Sequence, residues 1–244
     1  MSGYLFVLLV GLAAGVISGI VGTGSSIMLL PVLVYTFGPI EAVPIMAIAA
    51  VLANLSRVIA WWSMIDWRAV AAYSVTGMPA AALGARTLLS LPDGIINLCL
   101  GVFFIAMVPV RHWLKAHAFR LRLWQLSLAG LVVGYLTGLV LSTGPLSVPA
   151  FSAYGLVKGA FLSTEAASSF MLYLSKLFVF GEFGALPLDI IIKGLVVGSS
   201  IMAGTFIGKI VMLKMSEQAF QYLLDALLFC SGLSLLWAAI KSSQ

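Results

Sequence analysis

The 244-residue chain has little charge, two cysteines and two histidines, and its charged residues amount to 9% of the sequence. A soluble domain carries about 25% charged residues. The low charge, together with a hydrophobic content of 62%, therefore excludes a soluble globular fold and a disordered chain. Two cysteines also exclude a disulfide scaffold. The composition instead predicts an all-α polytopic membrane protein.

Glycines, prolines and charged residues divide the apolar sequence into about ten hydrophobic segments. A spanning helix needs about 20 mostly apolar residues, so ten of them would occupy most of the chain. No Lys or Arg precedes Arg57, and we therefore interpret the first segment as a retained span rather than a cleaved signal peptide. The predicted segments lie near 3–21, 25–38, 41–64, 67–90, 93–110, 124–141, 144–157, 160–182, 188–213 and 217–240.

The longest polar stretch, 111–123, contains four basic residues and no acid, which predicts a cytoplasmic loop. It separates an N-terminal repeat, 1–110, from a C-terminal repeat, 124–244. Ten full spans place both termini outside and put eight basic residues on the cytoplasmic side against three outside. If segments 25–38 and 144–157 are re-entrant, the count becomes seven against four. The positive-inside rule favours ten spans and leaves the re-entrant alternative open.

The two halves of the sequence resemble each other. Residues 11–21 align with 130–140 at an offset of 119, and the same offset places Arg57 on Lys176. With five segments per half, the second repeat must be inserted in the opposite orientation. Inverted repeats of this kind are typical of secondary transporters, whose substrate site lies near midplane between the repeats.

Each half begins with a stripe of glycines at four-residue spacing, which lets another helix approach closely. A break rich in glycine and hydroxyl groups follows each stripe, and a short proline-containing helix follows each break. Such a break presents free backbone N–H groups and a positive helix end to an anion. An ordinary surface loop is the alternative. The candidate anion-binding residues at the breaks are Thr23, Gly24, Ser25, Ser26, Ser142, Thr143 and Gly144.

Two cations lie inside apolar segments, Arg57 and Lys176. A cation near the centre of a spanning helix costs about 2.5–3.5 kcal/mol on insertion scales, so it should face a cavity or a partner unless it extends to the interface. In an inverted arrangement the two cations would lie on opposite sides of midplane and would favour a small anion. Asn54 and Ser175 lie beside them and could complete the binding shell, although polar residues also join helices.

Glu165 and Asp225 are the acids deepest in apolar sequence, which makes them candidates for proton coupling. Two simpler interpretations stay open. Glu165 could lie at the start of a helix, and Asp225 could pair with a neighbouring cation.

The sequence resembles the TauE/SafE family of bacterial membrane proteins, also called the sulfite exporter or TSUP family. The resemblance rests on GLAAGVISGIVGTGSS at 11–26, on GLVVGYLTGLVLSTG at 130–144, and on Ile65-Asp66-Trp67-Arg68 leading to Leu83-Gly84-Ala85-Arg86. It implies an inner-membrane carrier of small sulfur-containing anions such as sulfite, thiosulfate or organosulfonates. It also points to Thr23, Gly24, Ser25, Thr143 and Gly144 as site residues, although Ser25 and Pro145 stand where family members often have a second glycine.

The leading hypothesis is therefore a secondary transporter, either an exporter or a proton-coupled carrier, with the lipid bilayer, a small anion and protons as its partners. An anion channel and a thiol-redox relay through Cys99 and Cys230 are the alternatives. Both histidines lie in the basic loop, so a serine hydrolase would lack its base, and neither an HExxH motif nor a GxxxxGK[ST] loop occurs. We expect no enzymatic activity, cofactor, metal or nucleic-acid partner.

Overall fold

The computed structural model describes residues 2–21, 25–91, 121–140, 144–156 and 158–212, with scattered single positions between 95 and 113 and between 222 and 237. Every regular element in these residues is helical. A short 3-10 turn, Trp62–Met64, separates the third and fourth helices. The helices are α1 (Ser2–Val21), α2 (Ser25–Phe37), α3 (Pro39–Ala60), α4 (Trp67–Leu89), α5 (Leu123–Val140), α6 (Gly144–Tyr154), α7 (Lys158–Glu182) and α8 (Leu188–Met212).

Local sequence explains where α3 and α4 begin. Gly38 has a φ of 81°, a conformation that glycine adopts readily, and Pro39 follows at the first position of α3. At α4, the Asp66 carboxylate accepts the backbone N–H groups of Arg68 at 3.0 Å and Ala69 at 3.1 Å. The predicted segments 41–64 and 67–90 begin within two residues of these two helices.

The predicted segment 41–64 is longer than the helix that forms there. Helix α3 ends at Ala60, and the 3-10 turn occupies the rest. This correction places Arg57 in the last turn of α3, nearer the helix end than the sequence indicated. The charge still lies in the interior because α7 packs beside α3.

The glycine stripes pack helices from different halves against each other. A Cβ atom on Gly15 of α1 would collide with the backbone of Ile201 in α8, and one on Gly134 of α5 would collide with the backbone of Gly77 in α4. The two contacts correspond under the predicted repeat: Gly15 and Gly134 differ by 119 positions, and Gly77 and Ile201 differ by 124. The stripes therefore bring two backbones together, as their spacing predicted.

Helices α3 and α7 contact each other at the centre of the bundle. They lie between two outer pairs of helices, α1 with α8 and α4 with α5. Helix α8 packs on both α1 and α3, while α4 packs on both α5 and α7. The largest apolar cluster lines α2 and α3 and includes Leu29, Leu33, Ile45 and Met46. Charged side chains of α3 and α7 consequently lie in the interior of the bundle.

By length and composition, two of the described helices could cross a membrane: Pro39–Ala60 and Leu188–Gly208. Three shorter apolar helices accompany them, at Leu5–Ile20, Met28–Phe37 and Leu123–Leu139. Helices α4 and α7 are long but carry more polar and charged residues. The predicted segments 93–110 and 217–240, and most of the loop 111–123, lie outside the continuously described residues. The ten-segment arrangement and the boundaries of the repeats therefore stay predictions.

The close packing at Gly134 makes a stability prediction. We expect Gly134→Ala to lower the free energy of unfolding by about 1–3 kcal/mol, because the added methyl group overpacks a contact between two backbones. Gly181→Ala is the control, since its Cβ would meet only Leu186 Cδ1, at 3.9 Å. Thermal unfolding in detergent should show a lower midpoint for the first variant only, and equal midpoints would contradict the packing role.

Candidate functional site

A buried ion pair joins α3 to α7. The Arg57 Nη1 atom lies 3.1 Å from Glu165 Oε2, and the two residues are 5% and 2% exposed. The Arg57 Nη2 atom donates to Asn54 Oδ1, one turn earlier in α3, while the Asn54 amide donates to the carbonyl of Ala50 at 2.8 Å. Because Asn54 is held by its own helix, it fixes the orientation of the guanidinium.

The second oxygen of Glu165 accepts two hydroxyl groups. Ser147 Oγ of α6 donates to Glu165 Oε1 at 2.9 Å, and Ser169 Oγ donates to the same atom at 2.8 Å. Both carboxylate oxygens therefore have partners, as a charge withdrawn from water requires. We call Arg57, Glu165, Asn54, Ser147 and Ser169 the central ion-pair site.

Several polar atoms in the bundle interior have no hydrogen-bond partner among the described residues. They are the hydroxyl groups of Ser18, Tyr73 and Ser74 and the Nε atom of Arg57. The Tyr73 phenol also interacts electrostatically with Glu165. An unpaired buried donor costs about 1–3 kcal/mol, so Arg57 Nε and the Tyr73 hydroxyl mark the central ion-pair site as a candidate for binding a ligand.

Tyr173 connects the central ion-pair site to α2. Its side chain interacts electrostatically with both Glu165 and Arg57 and is hydrogen-bonded to Ser26. Ser25 and Ser26 are both buried where α2 begins, directly after the first glycine-hydroxyl break. The predicted break residues on α2 are thus linked, through one phenol, to the buried charges.

Lys176 is held by the end of a neighbouring helix. Its side chain is fully buried, and Nζ donates to the carbonyls of Thr137 at 3.0 Å and Gly138 at 2.5 Å, near the C-terminus of α5. Nζ also lies 5.2 Å from the centre of the Phe180 ring. The carbonyl end of a helix carries partial negative charge, and an aromatic face attracts a cation. Within the described residues, no carboxylate forms a salt bridge with Lys176.

The structure does not bring all the predicted site residues together. Asn54 and Arg57 are in contact with each other. Lys176 makes a separate set of contacts, and its neighbour Ser175 donates to the carbonyl of Met78 on α4 at 2.7 Å. Gly144 begins α6. Six of the predicted residues lie outside the described residues: Thr23, Gly24, Ser142, Thr143, Asp225 and Cys99.

The alternative that Glu165 lies at a helix start is wrong. Helix α7 begins at Lys158, so Glu165 follows two turns later and meets Arg57. Cys230, one of the two cysteines of the proposed relay, occupies an exposed helical position.

Two residues of the site, Ser147 and Ser169, and the neighbouring Tyr73 were not identified from the sequence. Ser169 lies one helical turn after Glu165, and this spacing could have identified it. Ser147 follows the second break, and a hydroxyl residue in apolar sequence at that place could have identified it. Tyr73 reaches the site because α4 packs on α7, a contact that no local pattern encodes.

These observations define a helical membrane protein with a charged and buried interior. The chain belongs to the family described as "Sulfite exporter TauE/SafE", which matches residues 7–235. The match confirms the resemblance found in the sequence and places the protein among membrane transporters of sulfur-containing anions rather than among enzymes. No curated protein and no solved structure matches the chain.

Tyr73→Phe distinguishes a packing role from a ligand-binding role for this buried phenol. Because its hydroxyl lacks a partner among the described residues, we expect the variant to unfold at the same temperature as the wild type or a higher one. If the hydroxyl donates to a bound anion, transport should fall about 3- to 10-fold, the value of one hydrogen bond of about 1 kcal/mol. Unchanged transport would remove Tyr73 from the binding site.

Proposed function

We propose that this protein is a secondary transporter of a small sulfur-containing anion such as sulfite, thiosulfate or an organosulfonate. It binds the anion at Arg57 in the interior of the bundle. The observation that carries the proposal is the guanidinium of Arg57, which is buried, oriented by Asn54, and left with an unpaired Nε donor among the described residues. A guanidinium presents paired donors that match the oxygens of an oxyanion.

The two breaks would supply further groups to the anion. Helices α2 and α6 begin at Ser25 and Gly144, directly after Thr23-Gly24 and Ser142-Thr143. The N-terminus of a helix presents free N–H groups and favours negative charge. Lys176 and Ser175 would then belong to the equivalent region of the second half, at the end of α5.

Alternating access between two inverted five-segment repeats is the proposed mechanism. The equivalent glycine contacts of α1 with α8 and of α5 with α4 support it, because they relate the two halves contact by contact. Each outer pair also combines one helix from each half, so movement of one half changes the environment of the other. We place the protein in the bacterial inner membrane, with the loop 111–123 in the cytoplasm.

Proton coupling is assigned to Glu165 and, as a second candidate, to Asp225. Glu165 is buried and contacts the cation that would bind the substrate. An intramembrane carboxylate of this kind is a frequent element of proton relays in transporters.

Counter-flow in proteoliposomes tests this function. Vesicles loaded with unlabelled thiosulfate or sulfite should accumulate the labelled anion from outside, with saturation and trans-stimulation, and empty vesicles should not. Sulfate, acetate, lactate and taurine serve as competitors that define the substrate class. Flux that neither saturates nor shows trans-stimulation would indicate a channel, and no flux of any sulfur anion would contradict the proposal.

A further inference from the structure

Glu165 occupies part of the surface with which Arg57 would bind an anion. The carboxylate takes Nη1, and Asn54 takes Nη2, so Nε is the one guanidinium nitrogen without a partner in the described part of the chain. A bidentate oxyanion needs two neighbouring donors. Nη1 and Nη2 carry two N–H groups each, and each uses one of them for a protein partner. An oxyanion on the remaining N–H groups would face the Glu165 carboxylate, and two negative charges on one guanidinium repel each other.

We infer that the substrate anion and the Glu165 carboxylate compete for Arg57, so that an anion binds only when Glu165 releases the guanidinium and takes up a proton. This inference rests on the proposed function and specifies how the anion and the proton are coupled at the same site. The proton enters on a carboxylate oxygen of Glu165, and no other bond is made or broken.

Charge balance in the buried site requires the proton. With Glu165 on Arg57, one positive and one negative charge cancel, in residues that are 5% and 2% exposed. A monovalent anion that replaced the carboxylate without a proton would leave an excess negative charge away from water, which is strongly unfavourable. Protonated Glu165 restores neutrality for a monovalent anion and halves the excess negative charge for a divalent one such as thiosulfate. Its new O–H group needs only an acceptor.

The surroundings of Glu165 favour this exchange. The titratable side chains in electrostatic contact with it are Arg57 from α3, Tyr73 from α4 and Tyr173 from its own helix. Asp66 approaches the preceding residue of α7, where its backbone N–H donates to Thr164 Oγ1 at 2.9 Å, but its carboxylate caps α4. Among these groups Arg57 alone is a cation, so within the described part of the chain a carboxylate that leaves Arg57 has no second positive partner.

Two hydroxyl groups hold the Glu165 carboxylate in place. Ser147 and Ser169 both donate to Oε1. Loss of one donor should make the carboxylate easier to displace. Ser169→Ala disturbs the site less than a substitution of Glu165 itself. Ser169 is only partly buried, and the Glu165 carboxylate stays paired with Arg57 and Ser147.

The test is anion binding to the purified full-length protein as a function of pH, with thiosulfate and methanesulfonate as probes. Neither anion changes its charge between about pH 5 and pH 8, and the charges of unperturbed aspartate and lysine side chains are also constant in this range. If each anion binds together with one proton, affinity should rise about tenfold for each unit that the pH falls. In Glu165→Gln the affinity should be higher than in the wild type at pH 8 and should not depend on pH.

Two further variants make the test specific. Ser169→Ala should bind both anions several-fold more tightly than the wild type at pH 8 while keeping the pH dependence, and this result is available even if Glu165→Gln does not fold. Glu182→Gln is the control, because it makes the same substitution on the same helix in an exposed ion pair with Arg86. It should bind as the wild type does.

The outcomes separate this inference from the proposed function. Wild-type affinity that is independent of pH, or an unchanged pH dependence in Glu165→Gln, would overturn the competition while leaving an anion-binding protein. Unchanged or weaker affinity in Ser169→Ala would overturn it as well. Failure of the wild type to bind any sulfur anion would overturn both the competition and the proposed function.

Discussion

Arg57→Met is expected to reduce anion transport at least about 30-fold and to lower the free energy of unfolding by about 3–5 kcal/mol. Transport falls because the substitution removes the buried cation that would bind the anion. Stability falls because Glu165, 2% exposed, is left as a charge without its partner. Proteoliposome flux measures the first effect and thermal unfolding measures the second.

A double variant separates these two effects. In Arg57→Met with Glu165→Met, no unpaired charge remains, and replacement of a buried ion pair by apolar residues is often neutral or stabilising. We expect wild-type stability and no transport. Arg86→Met is the matched control, because its partner Glu182 lies 3.6 Å away and both side chains are substantially exposed. It should change stability by no more than about 1 kcal/mol. Transport by the double variant would remove Arg57 from the anion site.

Lys176→Met is expected to reduce transport about 10- to 100-fold without lowering stability. The ammonium group is fully buried and has backbone carbonyls and an aromatic ring as partners, so its burial carries a large desolvation cost. In transport, Lys176 would release the α5 carbonyls and contact the anion. A hydrogen bond to a charged group contributes about 1.5–3 kcal/mol, and losing it corresponds to the expected reduction in transport.

Two controls accompany Lys176→Met. Lys193→Met removes a lysine of α8 that pairs with Glu41 at 2.9 Å and Asp189 at 2.6 Å, and it should leave transport unchanged. Lys176→Arg tests whether the guanidinium of Arg57, which aligns with Lys176 at an offset of 119, is tolerated at this position. A large loss of stability in Lys176→Met with full transport would show that Lys176 only holds α5 in place.

Local patterns in the sequence predicted much of the helical architecture. The predicted segments 41–64 and 67–90 begin within two residues of α3 and α4, and the glycine spacing predicted close backbone contacts at Gly15 and Gly134. These features depend on neighbours along the chain or on one helix face, and such information is present in a single sequence. The sequence did not reveal that each stripe packs on a helix of the other half.

The partners of the buried charges could not be predicted in the same way. Arg57 and Glu165 are separated by 108 positions, and their contact exists because α3 packs on α7. Lys176 binds the carbonyls of Thr137 and Gly138, and backbone acceptors leave no trace in residue identity. The sequence therefore identified charges that need partners, but not which groups provide them.

The most direct test of the central claim, that Arg57 binds the transported anion, is solid-supported-membrane electrophysiology on the purified protein. Thiosulfate, sulfite and sulfoacetate are applied to wild-type protein and to the Arg57→Met, Glu165→Met double variant. We predict a saturable current for at least one of these anions in the wild type and none in the double variant, which keeps its thermal unfolding midpoint. An equal current in both proteins would contradict it.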